Sequence, residues 1–366
     1  MSVYAFLAGY ILFLWILTKN GKLSGSIEIR QNKYFFDLFL VASFFAIFLL
    51  SSLRGESVGV DTKSYLEYYD IAKNMTWIGL LRGEWFHKYY SVEVGFMILE
   101  KICADFLVPA QMFLAICAGI YLFGICKFVS EYAENYLISV FSFLAVGSYL
   151  MSLNVMRQAV GIGIGCYAIT KFKKSKRKFI GLVLLACTFH VSCIVYFAFL
   201  LFEWINPTKK KILVAAVLSG AFGFFGTGLL QLILAYFPTY ARRYGKGIWK
   251  INSAHGIIVV WVIIAVIAFF LAIKTDWKVN KNHFIFDLIL MALCYLGVNI
   301  LGLSFDGLQR LSVPFEPFLI LIFDKSCDFW NGKTKSIYIL GLVLCMIMLF
   351  VRASSTAQYA YLPFWA

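Results

Sequence analysis

An all-α polytopic membrane bundle is the fold class the sequence predicts, and three observations predict it. Of the 366 residues, 61% are hydrophobic and 14% charged, against about 45–50% and about 25% in ordinary soluble domains. The mean hydropathy is +0.81. Apolar runs at or near the ~20 residues that cross a ~30 Å hydrocarbon layer fill most of the chain, leaving no space for a soluble domain between them. A soluble enzyme is excluded, and a single integral membrane domain over residues 1–366 is expected.

The apolar segments run approximately over 2–18, 35–53, 109–128, 136–152, 157–171, 179–202, 212–230, 254–273, 284–303, 311–324 and 336–352, eleven in all. No positive charge precedes Val3 to Leu17 and no small-residue cleavage site follows it, so it reads as a retained first span with the N-terminus outside. Lys171 to Lys178 holds six positive charges in eight residues, which are costly to translocate and mark the cytoplasmic side. The basic loop 19–34 is a second such marker, and it leaves residues 54–108 outside. Within that loop Glu93 to Leu107 is interrupted by Glu100, Lys101 and Asp105, and is expected to be interfacial or re-entrant. Segment 179–202 either crosses once or dips in and returns with its tip near His190. Lys and Arg in the later loops favour the return, nine inside against six outside. Residues 231–253 then form a second external loop.

A net charge of +14 would point to nucleic acid in a soluble chain, but the positive-inside rule accounts for it here and no nucleic-acid partner is expected. Eight of the nine cysteines lie in apolar runs, so neither a metal site nor a disulfide framework is visible. With this topology 18 of 24 lysines fall inside and seven of nine arginines outside. Charge alone would satisfy orientation, whereas the guanidinium fork suits bidentate phosphate recognition. The arginines therefore point to a polyanionic headgroup such as a lipid-linked pyrophosphate; the plainer alternative is snorkelling to ordinary headgroups.

Candidate site residues follow from position. Arg54 and Asp61 flank two glycines after the second apolar run; Asp61 either caps a helix starting near Lys63 or acts on a sugar hydroxyl as base or binder. Arg157, in Asn154-Val155-Met156-Arg157-Gln158, has only a short polar turn around it and must sit near the hydrocarbon boundary. Gly161, Gly163 and Gly165 lack the strand of a nucleotide loop, and 161 with 165 reads as a helix-packing face. His190 is the one histidine deep in an apolar run, either a hydrogen-bonded helix contact or a general base. Tyr240, Arg242, Arg243 and Tyr244 form a basic-aromatic cluster, and Arg310 opens a late segment beside Asp306.

In order along the chain, Arg54, Gly59, Asp61 and Tyr65, then Glu93 with Gly95, Asn154 to Gln158, Phe189-His190 with Ser192, and Arg310 resemble the Wzy-type polysaccharide polymerases, in the branch of EpsG-like exopolysaccharide proteins. The resemblance implies a GT-C-like membrane glycosyltransferase of the bacterial cytoplasmic membrane, using no cofactor or metal. It would transfer a growing glycan from undecaprenyl pyrophosphate to a new lipid-linked repeat unit at the outer face, alongside flippase and chain-length-regulating proteins. Asp61 and His190, then Glu93, are the implied catalytic residues; Arg54, Arg157, Arg243 and Arg310 would hold pyrophosphate, and Tyr65, Gln158, Tyr240 and Tyr244 the glycan. The competing classes are a flippase for the same lipid and an O-antigen ligase. The middles of the main spans are almost uncharged apart from His190, which disfavours transport.

Overall fold

The computed structural model describes residues 3–19, 37–84, 92–235, 255–279, 283–303 and 310–366. Regular structure among them is helical, apart from an isolated bridge between Arg54 and Pro363. They fall into two compact units, Met1–Phe197 with Ile339–Ala366, and Ala198–Tyr338. The first unit contains α1 (Val3–Lys19), α2 (Leu38–Ser52), α3 (Thr62–Asn74), α4 (Trp77–Leu81), α5 (Val94–Asp105), α6 (Ala110–Tyr132), α7 (Tyr136–Ala145), α8 (Ser148–Asn154), α9 (Met156–Lys171), α10 (Lys176–Phe189) and a 3-10 turn, Val191–Phe197. The second contains α11 (Ala198–Phe202), α12 (Lys209–Ala235), α13 (His255–Lys274), α14 (His283–Gly302) and α15 (Glu316–Ser326); α16 (Gly332–Ser354) starts in the second unit and ends in the first.

Three described helices, α6, α14 and α16, are long and apolar enough to cross a membrane, and α7 with α8 would form a fourth span bent by 44°. The bend falls beside Gly147, whose φ of +97° a side chain would resist. Shorter apolar helices cover Val3–Thr18, Leu38–Ser52, Val191–Phe202 and Ile258–Lys274. The chain is an all-α membrane protein, but these helices do not reproduce eleven uniform spans. The stretch read as 311–324, for instance, begins as a 3-10 turn at Val313–Phe315, and its α-helix starts only at Glu316, where Pro314 and Pro317 occupy first-turn positions. Such prolines suit a helix start and would disrupt a helix interior.

Three glycines at spacing two explain how α9 packs. On a helix, residues four apart share a face and the residue between them points the other way. A Cβ on Gly161 would meet Cys193 Sγ at 2.8 Å and the Ala186 carbonyl at 3.0 Å, and one on Gly165 would enter the Tyr196 ring. On the opposite side, a Cβ on Gly124 of α6 would lie 1.9 Å from the Gly163 carbonyl. Helix α9 is therefore held between α6 and the segment 176–197 at distances only glycine permits.

Segment 176–197 also reverses direction. Ala186 and Cys193 both meet α9 at Gly161, Tyr196 meets it one turn further on at Gly165, and Phe197 returns to within 6.3 Å of the Phe179 ring. The reversal is at His190, whose backbone is extended (φ −159°, ψ 125°).

Gly124→Ala should lower stability by about 1–3 kcal/mol through overpacking. Gly181→Ala, at a site in α10 with open space around it, should be neutral or slightly stabilising. Thermal melting of the two variants in detergent checks the contrast.

Candidate active site

Helix α5 starts where Glu93 adopts the extended backbone of an N-cap, without using its side chain as one. The carboxylate is thus directed away from its own helix, and it meets Arg157 at the start of α9: Glu93 Oε2 accepts from Arg157 Nη1. The other oxygen, Oε1, is 3.8 Å from His190 Nε2 at the reversal of segment 176–197. Three residues from three separate segments therefore converge, each between 16% and 22% exposed.

Behind them the polar contacts are buried. Gln158 Nε2 donates to Ser192 Oγ at 2.9 Å, and Ser192 Oγ lies 2.7 Å from His190 Nδ1. The Ser192 backbone N–H also points at Nδ1, at 3.3 Å. With Gln158 donating to the serine, the hydroxyl proton is left for Nδ1. Nδ1 is then the acceptor, and the neutral imidazole carries its proton on Nε2, facing Glu93. A Ser-His-Glu nucleophile system is the superficial resemblance here, but Ser192 is buried and its oxygen faces Gln158, leaving no approach for a substrate.

Burial pushes the Glu93 carboxyl above the ordinary carboxylate range, with the neighbouring Arg157 charge opposing that shift. Two turns along α5, Glu100 is wholly buried and neither of its oxygens has a hydrogen-bond partner; burial raises its carboxyl further still. In the sequence Glu100, Lys101 and Asp105 read only as interruptions of an apolar run. Lys101 and Trp77 Nε1 in fact both bond to Asp105, tying α5 to α4.

Among the remaining expected site residues, Tyr65 is buried, with its ring centroid 6.0 Å from the Arg157 guanidinium carbon. It supports the arginine from the side. Gln158 is likewise buried and positions Ser192. Asp61 is half-buried at the N-cap position of α3, and its side chain makes no capping bond. Arg54 is 2% exposed; it donates to the Ser51 carbonyl at 3.1 Å and lies 3.9 Å from Met156 Sδ. Beside it is a cavity of about 10 Å³, enough for a single water at most. Arg310 is exposed in the second unit. Tyr240, Arg242, Arg243, Tyr244 and Asp306 lie outside the described residues.

The loop after α2 is held by the end of the chain. Gly55 N–H donates to the Leu362 carbonyl at 2.8 Å, Phe364 N–H to that of Leu53 at 3.0 Å, and Gly59 N–H to that of Gln358 at 2.9 Å. Asn154 connects both strands of this arrangement, accepting from Val60 N–H at 2.9 Å and donating to the Tyr359 hydroxyl at 2.7 Å. Gly59 has φ +93°, and a Cβ there would strike the Leu153 carbonyl. The Asn154 end of the Asn154–Gln158 motif thus fixes the loop, while its Arg157 end enters the site.

The model of the EpsG family matches residues 37–365, a range that includes every element of this site. No curated protein and no solved structure matches the chain. If Asn154 is the joint between loop and tail, Asn154→Leu should destabilise by about 1–3 kcal/mol for each polar group it strands. Tyr359→Phe should cost less, and the double variant less than the sum of the two. Melting temperatures of the three variants in detergent give the comparison.

Proposed function

The chain belongs to the EpsG family, and from that premise we propose that it is a membrane glycosyltransferase of the polysaccharide-polymerase type. In this reading it joins a lipid-pyrophosphate-linked glycan to the terminal hydroxyl of a lipid-linked repeat unit. The observation that carries the proposal is the convergence of Glu93, Arg157 and His190, partly open, on a packed polar support.

Transfer to a hydroxyl has two requirements: a proton must leave the acceptor, and negative charge must be stabilised on the departing pyrophosphate. The 3.8 Å between His190 Nε2 and Glu93 Oε1 exceeds a hydrogen bond. An acceptor hydroxyl beside that gap, about 2.7 Å from each atom, would accept from the imidazole N–H and donate to the carboxylate. Its remaining lone pair attacks the anomeric carbon, and its proton passes to Glu93. This assigns the base to Glu93 and the orienting donor to His190.

Arg157 couples the two requirements. At rest its charge stabilises Glu93 as a carboxylate and weakens it as a base. A pyrophosphate carries more negative charge than a carboxylate and accepts the guanidinium fork bidentately, so it draws Arg157 away. Glu93 then loses its counter-charge, and its proton affinity rises as the leaving group becomes bound. Arg243 and Arg310 are proposed to contact the second pyrophosphate or the glycan-bearing lipid, and Tyr240 and Tyr244 the sugars. Arg54 is too enclosed for that role and is proposed to position the loop.

Polymer length on a gel, at matched protein levels, tests the assignment. Glu93→Gln should leave only single repeat units, and Arg157→Lys should cost about two to three orders of magnitude in rate, the value of one transition-state donor. Activity should fall as pH drops through the Glu93 value, which lies above the usual carboxylate range, because protonation removes the base. Normal polymer from Glu93→Gln would end the proposal.

A further inference from the structure

The second unit carries a groove none of whose lining residues has a part in the proposed transfer. It runs along α12 against α14 with a volume of about 650 Å³, within the ~300–1,000 Å³ typical of ligand sites. Its lining changes character along its length. At one end are Trp204, Lys210 and Lys211, and beyond them Val214, Leu218 and Leu290. Residues 210, 214 and 218 are spaced by four and share one face of α12, so a single stripe passes from positive to apolar over ~12 Å at 1.5 Å per residue.

Each end points to one half of an amphipathic anion. The segment Glu203 to Lys211 holds three lysines against one carboxylate. Lys211 Nζ donates to the Asn206 carbonyl at 3.0 Å, which leaves two of its three N–H donors for a ligand. Trp204 is 85% exposed, as an indole at the membrane–water boundary would be. Val214 and Leu218, at 49% and 64% exposed, present apolar surface to hydrocarbon depth. A free phosphate would leave the apolar wall bare. A second copy of the chain in a two-fold arrangement would set its own three lysines against these.

We propose that this groove is a binding site for an anionic phospholipid, with its phosphate on Lys210 and Lys211 and an acyl chain along Val214, Leu218 and Leu290. Basic pockets between membrane helices recognise anionic headgroups in this way. The site is independent of the Glu93 cluster and stands whether or not that cluster is catalytic.

The test uses the full chain purified in neutral detergent, with phosphatidylglycerol, phosphatidylcholine or glycerol phosphate added, read by native mass spectrometry and by thermal melting. Phosphatidylglycerol should be retained at least fivefold more than phosphatidylcholine and should raise the melting temperature; glycerol phosphate should do neither. Lys210→Gln with Lys211→Gln should abolish the preference, and Lys333→Gln with Lys335→Gln should preserve it. Leu218→Trp keeps the lysines and fills the groove, so it should also lose the lipid, which keeps the test decisive if the lysine variant folds poorly. Equal retention of the two phospholipids, full retention in Leu218→Trp, or equal binding of glycerol phosphate would each overturn the proposal.

Discussion

The ion pair between Glu93 and Arg157 is the contact on which the first unit's site depends, because it joins the start of α5 to the start of α9 across 64 residues of sequence. Its degree of burial governs what it can do. A fully exposed pair is worth about 0–1 kcal/mol and would be shed without consequence. A fully buried pair resists breaking by about 3–5 kcal/mol and would hold Arg157 against any substrate. At 16% and 22% exposure the pair is intermediate, ordered at rest and open to exchange with a stronger anion. The polar groups beneath it are fully enclosed, so exchange at the surface need not disturb the support.

That support depends on backbone proximity more than on polar bonds. His190 can face Glu93 only because the chain reverses there, and the reversed segment can lie on α9 only because Gly161 and Gly165 have no side chains. On the other side of α9, Gly163 and Gly124 bring α6 equally close. In a membrane, where apolar association between helices brings no hydrophobic gain, such van der Waals contact is the main source of cohesion. Arg157 and Gln158 are carried at the start of this clamped helix. Their side chains therefore start from a fixed base, the condition for an electrostatic site to act without reorganising.

Much of this was legible in the sequence, to different depths. Composition identified the membrane class outright, and the glycine spacing identified the packing face of α9. Arg157 at the boundary of an apolar run and His190 deep within one could each be read as candidates, since titratable residues there are costly, while Glu93 entered as a candidate only with the family resemblance. Their mutual contact could not, because helix-periodic patterns carry no information on which helix ends meet. Arg54 illustrates the limit: an arginine at the end of an apolar run reads as surface-seeking, but the chain's last ten residues cover its loop and enclose it. Asp61 illustrates another, because a residue can occupy a capping position without its side chain making the capping bond. Glu100 reads in the sequence as polarity that breaks an apolar run, whereas the fold buries it completely and that burial raises its carboxyl well above the usual range.

In this account Arg157 is shared between Glu93 and the substrate, so the proton affinity of Glu93 must depend on whether a pyrophosphate is bound. Infrared difference spectroscopy of the purified protein, with and without a lipid pyrophosphate, measures that dependence through the carboxyl band lost in Glu93→Gln. The account predicts that the Glu93 titration midpoint moves to higher pH when the pyrophosphate lipid is added, and that the movement disappears in Arg157→Gln. A midpoint unchanged by saturating lipid pyrophosphate, or lowered by it, would contradict the account.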